Sequence, residues 1–234
     1  MRSLRRSVHN CTLNPLGRCQ RELGYKVRVE PVSRQERKQR TRQALLAGAL
    51  RLLADRSLAS LSLREVAREA GIVPTAFYRH FDSMDALGVA LVEESMRSLR
   101  RMIRDARRKP PADAIEGTVQ TLVSQVRAHE PHFRFIIRER YGGTPDVRRA
   151  IAAELRLFAS ELATDLGRFP GMAAWSSEDL RVGADLMVAA MLSIVMALLE
   201  VDRNHVEDEV EVIDSARRQL RIIALGMSQW RSTP

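Results

Sequence analysis

Ala67, Gly71 and Phe77 stand four and six residues apart in a stretch that opens with Ser62-Leu63-Arg64-Glu65. Two short helices crossing through a tight turn need this set. A small residue lets the backbones approach, glycine supplies a positive φ, and an apolar side chain anchors the second helix inward. Val66 and Ile72 add core contacts. Ser62 and Glu65 have capping-box spacing: the serine accepts from the amide three residues on, and the glutamate reaches back. Pro74 suits the first turn of the second helix, where its missing N–H costs nothing, and that helix is expected to run to about His80. Packed in this way it turns Thr75, Ala76, Tyr78, Arg79 and His80 outward. The chemistry available to such a face is recognition of the DNA major groove. Arg79 can donate to guanine or to phosphate, Thr75 can bond either, and Ala76 can meet a thymine methyl. Tyr78 and His80 suit phosphate oxygens, as do Ser62 and Arg64 on the preceding helix. The same spacing also fits a hairpin in a helical bundle, with Arg79 and His80 merely solvated.

Charge decides between these readings. Residues 1–80 hold 17 Lys and Arg against 6 Asp and Glu, a net of +11, while residues 81–234 hold 21 against 23. One end of the chain is therefore built for a polyanion, and the rest is close to neutral. Other chemistries lack support. Cys11 and Cys19 have no accompanying ligand spacing, His129, His132 and His205 stand alone, and no nucleophile motif or triad occurs. No metal, no cofactor and no enzymatic activity are expected. Two isolated thiols fit a reduced cytoplasm. Residues 1–8 are basic without a following apolar core, so no signal peptide is read. The apolar run 186–199 has 14 residues, short of the roughly 20 that a bilayer span needs. It reads as a helix buried on all sides rather than a membrane insertion.

The elements that must position the outward face are all helical. Residues 1–32 lack periodicity and read as a disordered extension, or as an over-extended start with the native one near Val27 or Val29. A first helix follows Ser33, with Leu45, Leu46, Ala49, Leu50, Leu52 and Leu53 as its apolar stripe. After the helix-turn-helix of 62–81, further helices are expected over about 83–108 and 112–128, from Pro131 to Tyr141, over about 147–166, from Ser176 or Ser177 through the apolar run, and to the end of the chain. The last carries Ile213, Ala216, Leu220, Ile223, Met227 and Trp230 in heptad-like steps. The expected fold is all-α with about nine helices: a three-helix head at 33–82 joined to a helical body at 83–234.

The run LREVAREAGIVPTAFYRHF at 63–81 resembles the signature of the TetR family of repressors. Within that family, 59–81 and FRFIIRER at 133–140 resemble the repressors of unsaturated fatty acid biosynthesis, of the FabR and DesT kind. The resemblance covers about 35–140 well and the remainder in helix pattern only. It implies a DNA-binding head, a body that binds ligand and dimerises, and a fourth helix that couples the two. It also implies a homodimer on a palindromic operator, paired through the last two helices at Leu192, Val195, Leu199, Ile213, Leu220, Ile223 and Met227. One departure is Met84, where many members carry a phosphate-holding lysine.

The same resemblance implies a long-chain acyl thioester as effector, either acyl-CoA or acyl carrier protein. An acyl chain needs an apolar tunnel between helices. Phe133, Phe135, Ile136, Ile137, Phe158, Met187 and Met191 are candidate lining residues, and Arg134, Arg138 and Arg140 are candidates for the CoA phosphates. Arg97, Arg100, Arg101, Arg104, Arg107 and Arg108 form a further basic face. Two alternatives remain at this level. One is a repressor of an efflux or catabolic operon sensing another apolar molecule. The other is a helical enzyme or interaction module whose basic end meets a membrane surface or an acidic partner.

Overall fold

The computed structural model describes residues 33–107, 114–202 and 205–232, with the side chains of 101–107 and 114 excepted. The readings placed on residues 1–32, and on Arg101, Arg104, Arg107 and Arg108, lie outside the described residues. Ser33 opens the first helix with its own capping pair: its hydroxyl accepts from the Glu36 amide, and Glu36 accepts from the Ser33 amide. Among the described residues nine α-helices follow one another without a strand. They are α1 Arg34–Leu52, α2 Leu63–Glu69, α3 Pro74–Phe77, α4 Met84–Arg107, α5 Ala114–Ala128, α6 Glu130–Gly142, α7 Pro145–Leu166, α8 Ser177–Glu200 and α9 Val206–Gln229. A single 3-10 turn, Leu58–Ser60, links α1 to α2.

The chain from Lys38 onward packs as one unit. Its largest buried cluster joins Leu45, Leu46 and Ala49 of α1, Val66 of α2 and Phe77 of α3 to Leu87 and Leu91 of α4, Phe135 of α6 and Ile151 of α7. Apolar burial is thus continuous across residue 82, so the head is packed on the body rather than tethered to it. Separate clusters lie between α7, α8 and α9, and between α5, α8 and α9. α8 sits at the centre, packed on α5, α6, α7 and α9. It is the one helix among the described residues long and apolar enough to cross a membrane by length and composition. Its first turn is held by Ser176, which accepts from the Asp179 amide at 3.1 Å. Only two of the described polar side chains are fully buried, Ser95 and Glu139. Ser95 is satisfied by the His132 ring nitrogen Nδ1 at 2.9 Å.

Candidate nucleic-acid interface

α2 begins with the capping box that the spacing predicts. Ser62 Oγ accepts from the Glu65 amide at 3.3 Å, and the Glu65 carboxylate accepts from the Ser62 amide at 2.9 Å. The same carboxylate takes the Ser62 hydroxyl proton at 2.7 Å and an Arg56 guanidinium N–H at 2.8 Å. Arg56 first, then the Ser62 hydroxyl and amide, hold the Glu65 carboxyl down at about 2 against an ordinary 4.5. The folded chain therefore binds fewer protons than the unfolded chain between those values, and the cap's contribution is lost as pH falls through that window. Thermal melts of wild type from pH 7 to 3 are expected to fall more steeply than those of Glu65→Gln. Parallel curves would remove the cap from the acid response.

The turn after α2 follows from one backbone conformation. Gly71 has φ +70 with nothing within 4 Å of a Cβ built on it, so the requirement is conformational and not spatial. Ile72 then donates back to the Ala67 carbonyl at 2.9 Å. Close approach is needed instead at Gly48 of α1, where a Cβ would lie 3.3 Å from the Ala70 nitrogen. An Arg51–Glu69 ion pair at 2.7 Å ties the same two helices.

α3 is shorter than the sequence suggests. It ends at Phe77, and the chain winds on to Phe81 through bonds from the Arg79 amide to the Ala76 carbonyl and from the His80 amide to the Phe77 carbonyl. A four-residue helix cannot hold itself; the fully buried Phe77 ring holds it, with Tyr78 edge-on at 5.9 Å and Phe81 at 5.7 Å. Val66 and Ala67 are equally buried beneath it. Thr75, Tyr78 and Arg79 stand exposed as expected, with Ala76 half-buried between them and Arg64 exposed on α2. Val73, 64% exposed at the start of α3, extends this face with an apolar side chain that the sequence reading passed over.

Two members of the expected contact set differ. Ser62 is exposed, but its hydroxyl proton is already given to Glu65. His80 faces inward toward α1: it is half-buried, its Nδ1 has no partner, and Arg42 donates to its carbonyl while lying 4.4 Å over the Phe81 ring. Burial first, then Lys38, Arg42 and Arg79, push the His80 ring below the ordinary histidine value. Lowered in this way, the ring is less ready than an ordinary histidine to bring a positive charge to a phosphate. Lys38 and Arg42, which the sequence reading did not single out, are cations beside it.

The body residues expected to bind ligand divide into two groups. Phe133 and Ile137 pack with Val126, Val195 and Leu199, while Phe158 and Met187 pack between α7, α8 and α9, and Met191 is half-buried. The arginines are engaged within the chain. Arg134 bonds Glu130 and the Leu199 carbonyl, Arg138 bonds the carbonyls of Leu53, Ala54 and Arg56, and Arg140 lies over the Tyr141 ring. Helix ends leave carbonyls without intrahelical partners, and a guanidinium fork fills that need. Two open grooves, of about 520 Å³ between α5 and α9 and about 670 Å³ between α7 and α8, are lined by none of these residues.

The expected pairing seam is likewise occupied inside one chain. Val195, Leu199, Leu220 and Met227 are buried, and Leu192, Ile213 and Ile223 pack partly buried against the same clusters. A heptad-like stripe reports an apolar partner without saying whose, and here α8 and α9 serve each other and α5. The large apolar side chains left exposed on these helices are others: Val182, Leu186 and Met196 on α8, and Val206, Val210, Ile222 and Leu225 on α9.

Residues 45–91, which include α2, the Gly71 turn and α3, match the model of bacterial regulatory proteins of the tetR family. Over those residues the chain is similar to that family. The fold is shared with solved structures at low identity. FadR from Bacillus subtilis in complex with stearoyl-CoA has a TM-score of 0.62 at 15% identity, over 77% of this chain and 96% of that one. A TetR-family regulator from Streptomyces coelicolor has 0.60 at 20%, over 82% and 97%. AibR in complex with isovaleryl coenzyme A and operator DNA has 0.57 at 19%, over 76% and 96%. Thr75, Tyr78 and Arg79 lie exposed within the matched residues.

Proposed function

We propose that the protein is a cytoplasmic, homodimeric, DNA-binding repressor of the TetR family that controls fatty acid metabolism genes and is released or engaged by a long-chain acyl thioester. The observation that carries the DNA-reading part is the outward set Thr75, Tyr78 and Arg79, on and just after a helix locked by Phe77. Residues 33–82 serve as the reading head and 83–234 as the effector and pairing body. The exposed apolar side chains of α8 and α9 support pairing, because unpartnered stripes of this kind on two adjacent helices mark an interface. Two-fold symmetry then places two heads on half-sites about one helical turn apart.

The acyl effector is supported by the similarity of 59–81 and 133–140 to the fatty acid repressors, and by two relatives of this fold that hold acyl-CoA. In this reading the acyl chain parts the half-buried Phe133, Ile137, Phe158, Met187 and Met191, all of which lie on α6, α7 or α8. The CoA phosphates fall outside Arg134 and Arg138, whose guanidiniums are already bonded.

A gel shift on the fragment upstream of its own gene and of lipid synthesis genes, repeated with saturated and unsaturated long-chain acyl-CoA, tests this directly. The expected result is a specific shift whose midpoint moves with one class of acyl-CoA. A specific shift that ignores every acyl thioester would overturn the effector part. Arg79→Ala should weaken the specific complex by about 1–3 kcal/mol and relax its sequence preference at one position of each half-site. Unchanged preference would remove Arg79 from the base-reading set.

A further inference from the structure

We infer that Arg138 and Glu139, adjacent on α6, form the joint that fixes the angle of the DNA-reading head, so that they set operator affinity without touching DNA. Consecutive residues on a helix point about 100° apart, and these two straddle the segment that leaves α1. Arg138 donates to the carbonyls of Arg56 at 2.7 Å, Leu53 at 3.0 Å and Ala54 at 3.2 Å. Glu139 accepts the Leu58 amide at 2.9 Å. A cation thus holds the carbonyl side of 53–58, and a carboxylate holds its amide side.

The Leu58 side chain completes the joint. It is 2% exposed and reaches the surface of α4 where Gly88 lacks a Cβ; one built there would lie 2.4 Å from Leu58 Cδ2 and 2.8 Å from Val147 Cγ2. Segment 53–58 is then connected onward to the head. Arg56 accepts from Arg138 through its carbonyl and bonds Glu65, the capping residue of α2, through its guanidinium. Arg51 and Gly48 secure the other end of α2 to α1.

Stability alone is a poor reason for this chemistry. Glu139 is 1% exposed, its Oε2 has no hydrogen-bond partner, and Gly143 packs against it with room for no Cβ. A buried carboxylate used at one oxygen is costly, whereas an apolar side chain would pack without that cost. What the carboxylate and the guanidinium add is direction, since hydrogen bonds to peptide groups fix orientation where apolar contact permits sliding. The neighbouring residues of α6, Phe133 and Ile137, pack against Val126, Val195 and Leu199 in the body. One helix therefore carries the body's core on one side and the head's anchor on the other. Any repacking at Phe133 or Ile137 displaces the joint.

The inference rests on the head being the DNA reader, and the test separates the two. The full-length wild type is used to select a preferred duplex from random DNA. Affinity for that duplex and for a scrambled one is then measured for Arg138→Met, Arg138→Lys, Glu139→Leu and Glu139→Gln, alongside amide exchange. Arg138→Met and Glu139→Leu should each weaken the selected duplex by about tenfold while leaving the scrambled one within about twofold. Exchange over 53–61 should rise about tenfold in both, with α8 unchanged. Glu139→Gln keeps an acceptor for the Leu58 amide and should stay within about twofold of wild type. Arg138→Lys, whose single ammonium cannot span three carbonyls, should fall between and decides the matter if Arg138→Met does not fold. Equal losses on both duplexes, or faster exchange over 53–61 with the selected affinity unchanged, would overturn the joint. If wild type enriches no sequence, the DNA-reading assignment fails instead, and unaltered exchange over 53–61 in the variants would still reject the joint.

Discussion

Phe77→Ala is expected to destabilise the chain by about 3–5 kcal/mol and to abolish sequence-specific DNA binding. Phe77 is fully buried and is the centre of an aromatic group with Tyr78 and Phe81. α3 has four residues, far fewer than the roughly 12–15 that an isolated helix needs. Its shape is therefore a product of tertiary packing on this one ring. Natural domains have only about 5–15 kcal/mol in hand, so the loss is a large share of the whole. The buried cluster continues from Phe77 into α4, α6 and α7, and the body should soften with the head. Urea titration followed by far-UV circular dichroism measures this. A midpoint within error of wild type would mean that α3 is held by something other than Phe77.

Gly88→Ala comes next in expected size, at about 1–3 kcal/mol of overpacking. The added methyl would lie 2.4 Å from Leu58 Cδ2 and 2.8 Å from Val147 Cγ2, inside van der Waals contact on both sides. Leu58 is 2% exposed and its side chain has little room to rotate, while relief through its backbone would disturb the amide that meets Glu139, so the strain should appear as a displaced head as well as a lower melting temperature. The double variant Gly88→Ala with Leu58→Ala isolates the contact, because shortening Leu58 clears the space. The expected outcome is a strongly non-additive cycle, with the second substitution costing less in the presence of the first. Additive losses would place the strain elsewhere.

The head was legible in sequence because its constraints are local. Ala67, Gly71 and Phe77 are fixed by a crossing, a positive φ and an anchor within eleven residues, and Ser62 and Glu65 by one helical turn. What lay beyond reach depends on long-range pairing. Arg134 and Arg138 carry the charge that a CoA phosphate needs, yet they bond carbonyls 65 and up to 85 residues away. Only tertiary structure reveals those carbonyls as partners. The seam of Leu220 and Met227 has the right period, but period reports burial and not the identity of the covering chain. His80 shares the helical spacing of the outward set, and the tightening of the chain after Phe77 turns it toward Lys38 and Arg42. Gly48 and Gly88 carried a readable signal, since glycine within a helical pattern commonly marks a close approach. Glu139 carried none: the charged run 138–140 looks solvated until Leu58 is placed beside it.

Selection of bound duplexes from a random library by the 234-residue chain tests the central claim most directly. The account predicts enrichment of a two-fold symmetric sequence with half-sites about 10 base pairs apart, lost in Arg79→Ala. Its affinity should fall with salt but remain above that for scrambled DNA at every salt concentration. Binding that is equally tight to all duplexes and governed by salt alone would contradict it.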